Sequence, residues 1–108
     1  MMSVDGEMFL SNFTQAERAY AGVGPHQLER LAGRFATKEA VSKALGVGWG
    51  DGMEWSDIEV ERLSTGAPHV RLHGTPARLS NERGVSRWLI SLTHTTTTAI
   101  AVAIAVAE

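Results

Sequence analysis

Residues 33–46 read GRFATKEAVSKALG: a basic Arg34, then Lys38, Glu39 and Lys43, threaded through alanines and closed by a glycine. Upstream, Leu28, Leu31 and Phe35 lead into Val41 and Leu45 at roughly helical spacing. Ala32, Ala36, Ala40 and Ala44 form a second strip of small residues, which lets a helix lie close to a sheet. Gly46 stands where a C′ glycine ends a helix, and Pro25 suits a first turn, where its missing N–H would have no helical partner. A long helix from His26 to Leu45 is therefore predicted as the centre of the fold.

Both flanks carry their own signals. Thr14 with Glu17 three residues later is a capping box, so a short helix is predicted over TQAERAY, broken by GVGP at 22–25. After the glycine-rich loop VGWGDG (47–52), WSDIEVERL alternates and predicts a half-buried strand with Ile58 and Val60 inward. STGAP is a turn, and HVRLHG alternates again with Val70 and Leu72 inward, giving a β-hairpin. Pro76 to about Arg83 reads as a short helix with Thr75 as its cap and Gly84 past its end. RWLISLT and TAIAVAIAVA are strand-like, and the alanines of the second match the alanine strip of the central helix. Adjacent strands after helices predict an α+β fold with an antiparallel sheet packed on the long helix.

With 108 residues the chain has room for one domain. The formal net charge of −2 argues against general nucleic-acid binding but leaves space for a local basic patch that grips one phosphorylated small molecule. Without cysteine there is no disulfide framework, thiolate nucleophile or cysteine-based zinc site, which fits a reducing cytoplasm. The start is acidic and unlike a signal peptide, and AIAVAIAVA is too short to cross a bilayer as a helix, so no membrane partner is expected.

Two stretches could carry chemistry. Glu39 and Lys43 stand four apart and so share a helical face, where a plain ion pair is one reading. Phe35 lies four residues before Glu39 on that face, however, and a carboxylate beside an apolar stripe needs a partner such as a hard cation. SLTHT (91–95) ends a strand with His94 among hydroxyls; no nucleophile-elbow glycines surround Ser91, so no hydrolase triad is read there. His69 and His73 share one face of a strand without a third metal ligand, and the 46–52 loop lacks the lysine and hydroxyl of a phosphate loop.

Taken together, FTQAERAYA, RLAGRFATKEAVSKALGVG, WSDIEVERLSTGAPHVRLHG and WLISLTHTTTTAIAVAIA closely resemble the holo-acyl-carrier-protein synthase family of 4'-phosphopantetheinyl transferases, from about Phe9 to Ala107. The resemblance implies a transferase that moves the phosphopantetheine arm of coenzyme A to a serine of apo-acyl carrier protein, as in fatty-acid biosynthesis, and releases adenosine 3',5'-bisphosphate. It implies Mg2+ held by Glu39, with Lys43 facing phosphate and Arg34 and His94 contacting the coenzyme. Charge building on the pyrophosphate leaving group would be neutralised by the metal and the lysine; the base that takes the serine proton, a carboxylate or a water on the metal, stays open. The acidic carrier protein would dock on a basic helical surface, with Arg18 and Arg30 as candidates. A homotrimer with active sites between subunits is also implied, so that His94 of one subunit would meet Glu39 of a neighbour.

In one respect the sequence departs from the family pattern. Members open with a strand carrying G-[IV]-D, whose aspartate shares the metal, whereas the twelve residues ahead of Phe13 hold a single aspartate, Asp5. DGEMFLSNF is read as the end of the family's first helix, so the first strand is expected to be missing, and Asp5 stands as the alternative second metal ligand. The competing expectation is a non-catalytic or truncated homologue that binds coenzyme A or serves in assembly.

Overall fold

The computed structural model describes residues 4–108, with side chains from residue 7 onward. Three helices lead: α1 (Val4–Leu10), α2 (Gln15–Ala21) and α3 (Gln27–Leu45). A 3-10 turn (Trp55–Asp57) then opens β1 (Ile58–Arg62), which pairs antiparallel with β2 (Pro68–Leu72). Helix α4 (Gly74–Glu82) connects to the second antiparallel hairpin, β3 (Val85–His94) with β4 (Ala99–Ala107).

The centre is α3, as its apolar and alanine stripes require. Val41 and Leu45 are fully buried and meet Val47, Met53, Ile58, Val60 and Val70 in the main core. Leu31 joins Phe13 and Ala21 in a second core, with Phe9 and Phe35 packed beside them. The helix ends at Gly46, whose φ of 71° and ψ of 27° put it in the left-handed region that favours glycine. The alanines of β4 lie against α3, so Ile100, Val102 and Ile104 face outward from the other side of the hairpin.

Several boundaries differ from the sequence reading, each for a local reason. Pro25 lies in a turn ahead of α3 rather than in its first helical turn, and Leu28 is exposed rather than part of the core stripe. Trp55–Asp57 is not strand: the Asp57 carboxylate accepts from the backbone N–H of Glu54 at 2.9 Å and curls the chain into a 3-10 turn before β1 begins. Thr75 does not cap α4; its hydroxyl donates to the carbonyl of Gly52 at 2.9 Å, and His73 holds the N-cap position. The four-threonine run closes the last hairpin, where Oγ1 of Thr95 accepts from the backbone N–H groups of Thr97 and Thr98.

The capping box of α2 forms as expected and does more than cap. Thr14 Oγ1 accepts from the Glu17 N–H at 3.1 Å, and Glu17 Oε1 accepts from the Thr14 N–H at 2.9 Å. The Thr14 hydroxyl also donates to Glu59 Oε2 on β1 at 2.7 Å, while Glu59 Oε1 pairs with His73 Nε2 at 3.2 Å. The hydrogen bond from Thr14, and then that from His73, hold the Glu59 carboxyl below its ordinary value against desolvation, which raises it. A depressed carboxylate pKa adds stability above the unfolded pKa, and that stability is lost as pH falls through the folded value. Glu59→Gln is therefore expected to melt below the wild type at neutral pH, with the gap closing as pH falls below the ordinary carboxylate range. Thermal melts across that range read it directly; a constant gap would show that Glu59 acts by shape alone.

Candidate active site

The two lysines and the glutamate of the central helix part company in space. Lys38 is fully buried, and its ammonium donates to Glu17 Oε1 at 2.9 Å, to the Trp55 carbonyl at 2.9 Å and to the Ile58 carbonyl. Three donors meet three acceptors, which is the whole capacity of an ammonium group. Glu17 is equally buried, and its second oxygen accepts from the Val60 N–H at 2.9 Å. Burial pushes Lys38 below the ordinary lysine range, and Glu17 pulls it back. This pair ties α2, α3 and β1 together and belongs to the framework of the site.

Glu39 and Lys43 point away from that framework. They line one groove of about 360 Å³ with Ala36 and Ala40 of α3 and Ala99, Ile100 and Ala101 of β4. They do not pair with each other, so the ion-pair reading of their spacing is not realised. Five of the seven lining residues are alanine or isoleucine, so the two charges supply most of the groove's polarity. Glu39 is half-buried and Lys43 exposed.

His94 closes β3 directly opposite Ala99, one of the groove's lining residues. Its Nδ1 lies 3.0 Å from Glu29 Oε1, and Glu29 Oε2 lies 3.4 Å from Nδ1 of His26. The hydrogen bonds from His94 and then His26 hold Glu29 below the ordinary carboxylate range. Gly33 makes room for this contact: a Cβ there would stand 3.1 Å from Leu92 Cδ1 and 3.5 Å from His94 Cδ2.

Arg34 does not join the groove. At 3.6 residues per turn it stands roughly half a turn from Lys43, and it lines a separate cleft with Tyr20, Glu59 and Arg62. Its guanidinium carbon lies 4.0 Å from the centre of the Tyr20 ring, and its Nε is buried without a partner among the described residues. Burial lowers its pKa from the ordinary value. Asp5 falls within α1, which matches the helical reading of DGEMFLSNF, but its side chain lies outside the described ones.

A divalent cation would draw its protein ligands from acidic and histidine side chains. Among the described residues no cluster of three acidic or histidine side chains could enclose one. Glu39 offers a single carboxylate on an open groove beside a lysine. That donor set suits Mg2+ in particular, which keeps several waters and takes one or two carboxylates together with substrate phosphates. The residues therefore fit a metal shared with a phosphorylated ligand. Among the described residues no helix is long and apolar enough to cross a membrane.

An α+β domain with an acid–lysine groove beside a strand-end histidine has the parts of a phosphate-handling enzyme. The chain belongs to the 4'-phosphopantetheinyl transferase superfamily, whose family model matches residues 3–105. It is 44% identical over 91 residues to the holo-[acyl-carrier-protein] synthase of Solibacter usitatus, an alignment covering 83% of this chain and 73% of that protein. It is similar in structure to the holo-[acyl-carrier-protein] synthase of Helicobacter pylori in complex with coenzyme A. That match has a TM-score of 0.77 and 28% identity, covering 94% of this chain and 84% of the other. A Bacillus anthracis holo-(acyl-carrier-protein) synthase in complex with coenzyme A (3',5'-ADP) matches with a TM-score of 0.75 and 30% identity, covering 94% and 83%.

Sequence reasoning missed Glu29 and the inward turn of Lys38. For Glu29 a signal existed: its spacing from Gly33 and Ala36 continues the face that carries Ala40 and Lys43. For Lys38 the true partner is 21 residues away, beyond any helical spacing rule.

Proposed function

We propose that this chain, as a single domain, transfers the phosphopantetheine arm of coenzyme A to a serine of apo-acyl carrier protein in a Mg2+-dependent reaction that releases adenosine 3',5'-bisphosphate. The observation that carries this reading is that Glu39 and Lys43 line the same groove, in a chain of this superfamily. Small side chains on the α3 and β4 walls leave space for a pyrophosphate between them.

The reaction forms a bond between the serine oxygen and the phosphorus nearest the pantetheine arm, breaks the anhydride bond to the nucleotide phosphate, and passes the serine hydroxyl proton to a carboxylate or to water. Negative charge gathers on the departing phosphate. Lys43, exposed on a long stem, reaches that charge, and an ammonium beside a developing anion stabilises it selectively. Glu39 would hold the metal, which when bound would supply positive charge against the phosphates. His94 would contact coenzyme phosphate from the end of β3. Arg34 can reach coenzyme A only from its own cleft and is assigned a packing role against Tyr20.

The carrier protein is acidic, so a basic helical surface that includes Arg18 and Arg30 is the proposed dock. Arg18 is exposed, whereas Arg30 donates to the carbonyl of Ala21 at 3.2 Å and is half-buried. The outer face of the second hairpin exposes Leu89, Ile100, Val102 and Ile104, the last three each more than half exposed. Such a contiguous apolar face suits burial against copies of the same chain, and supports the homotrimer and a site shared between subunits. Val102→Lys, outside the groove, is expected to convert the assembly to monomer in light scattering and to cut transfer with it. An unchanged mass would place the interface elsewhere. A cytoplasmic location follows from the same reading.

The test is release of adenosine 3',5'-bisphosphate from coenzyme A in the presence of apo-acyl carrier protein and Mg2+, followed by chromatography. Release that requires the carrier supports the transferase. Binding of coenzyme A without release would favour a non-catalytic homologue.

A further inference from the structure

We propose that Glu29 is a positioning residue for His94, holding its proton on Nδ1 so that Nε2 meets the ligand in one fixed protonation pattern. The proposal rests on the phosphate-contacting role of His94 given above, but the clamp itself is a property of the free protein.

Three observations carry it. Glu29 Oε1 and His94 Nδ1 are 3.0 Å apart although 65 residues separate them, so the contact is made by the fold and not by chain proximity. A carboxylate only accepts, so the bond fixes Nδ1 as the donor and selects the Nδ1–H form of the neutral ring. His94 Nε2 then has no protein partner among the described residues and is left for a ligand. Second, Gly33 leaves the space against which the His94 ring and Leu92 rest, so the ring is held from its carbon edge as well as from Nδ1. Third, Glu29 is itself held: its other oxygen is engaged by His26 across the first turn of α3. The charged groups facing His94 from α3 are thus Glu29 and, through it, His26, while the β4 residue opposite is Ala99.

The consequence is chemical. The Nδ1–H form leaves a lone pair on Nε2, so the clamped ring meets a ligand's donor group at that atom, and it gives a phosphate oxygen a hydrogen bond only when Nε2 carries a proton as well. The carboxylate and histidine together thus present one fixed face of the ring at the end of the groove.

The test has two readouts that fail independently. The 15N shifts of His94 in the free protein report which ring nitrogen carries the proton. The wild type is expected to show the Nδ1–H form, and Glu29→Ala the mixed or Nε2–H form usual for an unclamped ring, with Glu29→Gln restoring Nδ1–H through its carbonyl oxygen. An Nε2–H ring in the wild type, or one unchanged in Glu29→Ala, overturns the clamp even if the protein transfers phosphopantetheine normally. In turnover, Glu29→Ala is expected to lower kcat/KM about tenfold or more at unchanged secondary structure, with partial rescue in Glu29→Gln. Equal turnover in both variants overturns the positioning role. If the wild type shows no transfer at all, the functional reading fails, and the nitrogen shifts still decide the clamp. His26→Ala should leave the Nδ1–H form in place, since it touches only the far oxygen of Glu29.

Discussion

Glu39→Gln is expected to lower Mg2+-dependent transfer to the carrier protein by on the order of 100-fold or more, while the melting temperature stays within about 2 °C of wild type. Both halves follow from where the side chain lies. Glu39 is half-buried on a groove wall and makes no side-chain hydrogen bond or ion pair among the described residues, so the fold loses little when its charge is removed. Its backbone carbonyl, which accepts from the Ser42 hydroxyl at 2.8 Å, is untouched by the substitution. A glutamine of the same length keeps the shape of the groove and offers the metal a neutral oxygen in place of an anionic one. Mg2+ binds hard anionic oxygen and phosphate, so the loss should appear first as a raised metal requirement. Titration of activity against Mg2+ would show this. Wild-type activity at low Mg2+ in the variant would remove Glu39 from the metal's ligands.

Lys38→Met is expected to do the opposite: little to the groove's chemistry and great damage to the fold. Removing the ammonium leaves Glu17 as an uncompensated buried anion, and the Trp55 and Ile58 carbonyls lose their donor. Breaking a buried pair from one side costs about 3–5 kcal/mol, which in a domain of this size lowers the melting temperature by at least about 12 °C. Glu17→Met should cost a similar amount, because the carboxylate also holds the Val60 N–H and the N-terminus of α2. The double variant is not expected to recover fully, since those backbone groups stay unsatisfied in either background. Thermal denaturation of the three variants checks this. A Lys38→Met protein as stable as wild type would show that the pair contributes nothing net.

The contrast between these two residues, adjacent in sequence, shows what was legible without a structure. The 33–46 run announced a helix, and the alanine strip together with the alternating alanines of 99–107 announced which strand lies against it. Both follow from short-range periodicity, which survives in a linear reading. The Thr14–Glu17 box was legible for the same reason. Lys38 was not, because helical phase alone sends it roughly 100° from Glu39 without saying which of the two goes inward. That choice is made by Glu17, which has its own place in sequence as a cap and gives no sign of a second partner. Asp57 fits the alternating strand pattern, yet its side chain is short enough to bond the Glu54 N–H three residues back, and that local bond overrides the pattern.

The candidate site divides along the same line. Glu39 and Lys43 were named from sequence and share a groove; His94 was named and stands at the strand end beside it. Arg34, in the same quoted helix, is carried by helical phase into a different cleft. The pairing of Glu29 is not legible in sequence because its partner is on β3, and only the packing of the hairpin on α3 brings them to 3.0 Å.

The measurement that bears most directly on the whole account is the intact mass of apo-acyl carrier protein after incubation with this chain, coenzyme A and Mg2+, with a chelator control and Glu39→Gln in parallel. A gain of one phosphopantetheine group on the carrier is expected with the wild-type chain, absent with chelator and nearly absent with the variant. A carrier whose mass is unchanged, in the presence of folded wild-type chain and bound coenzyme A, would contradict it.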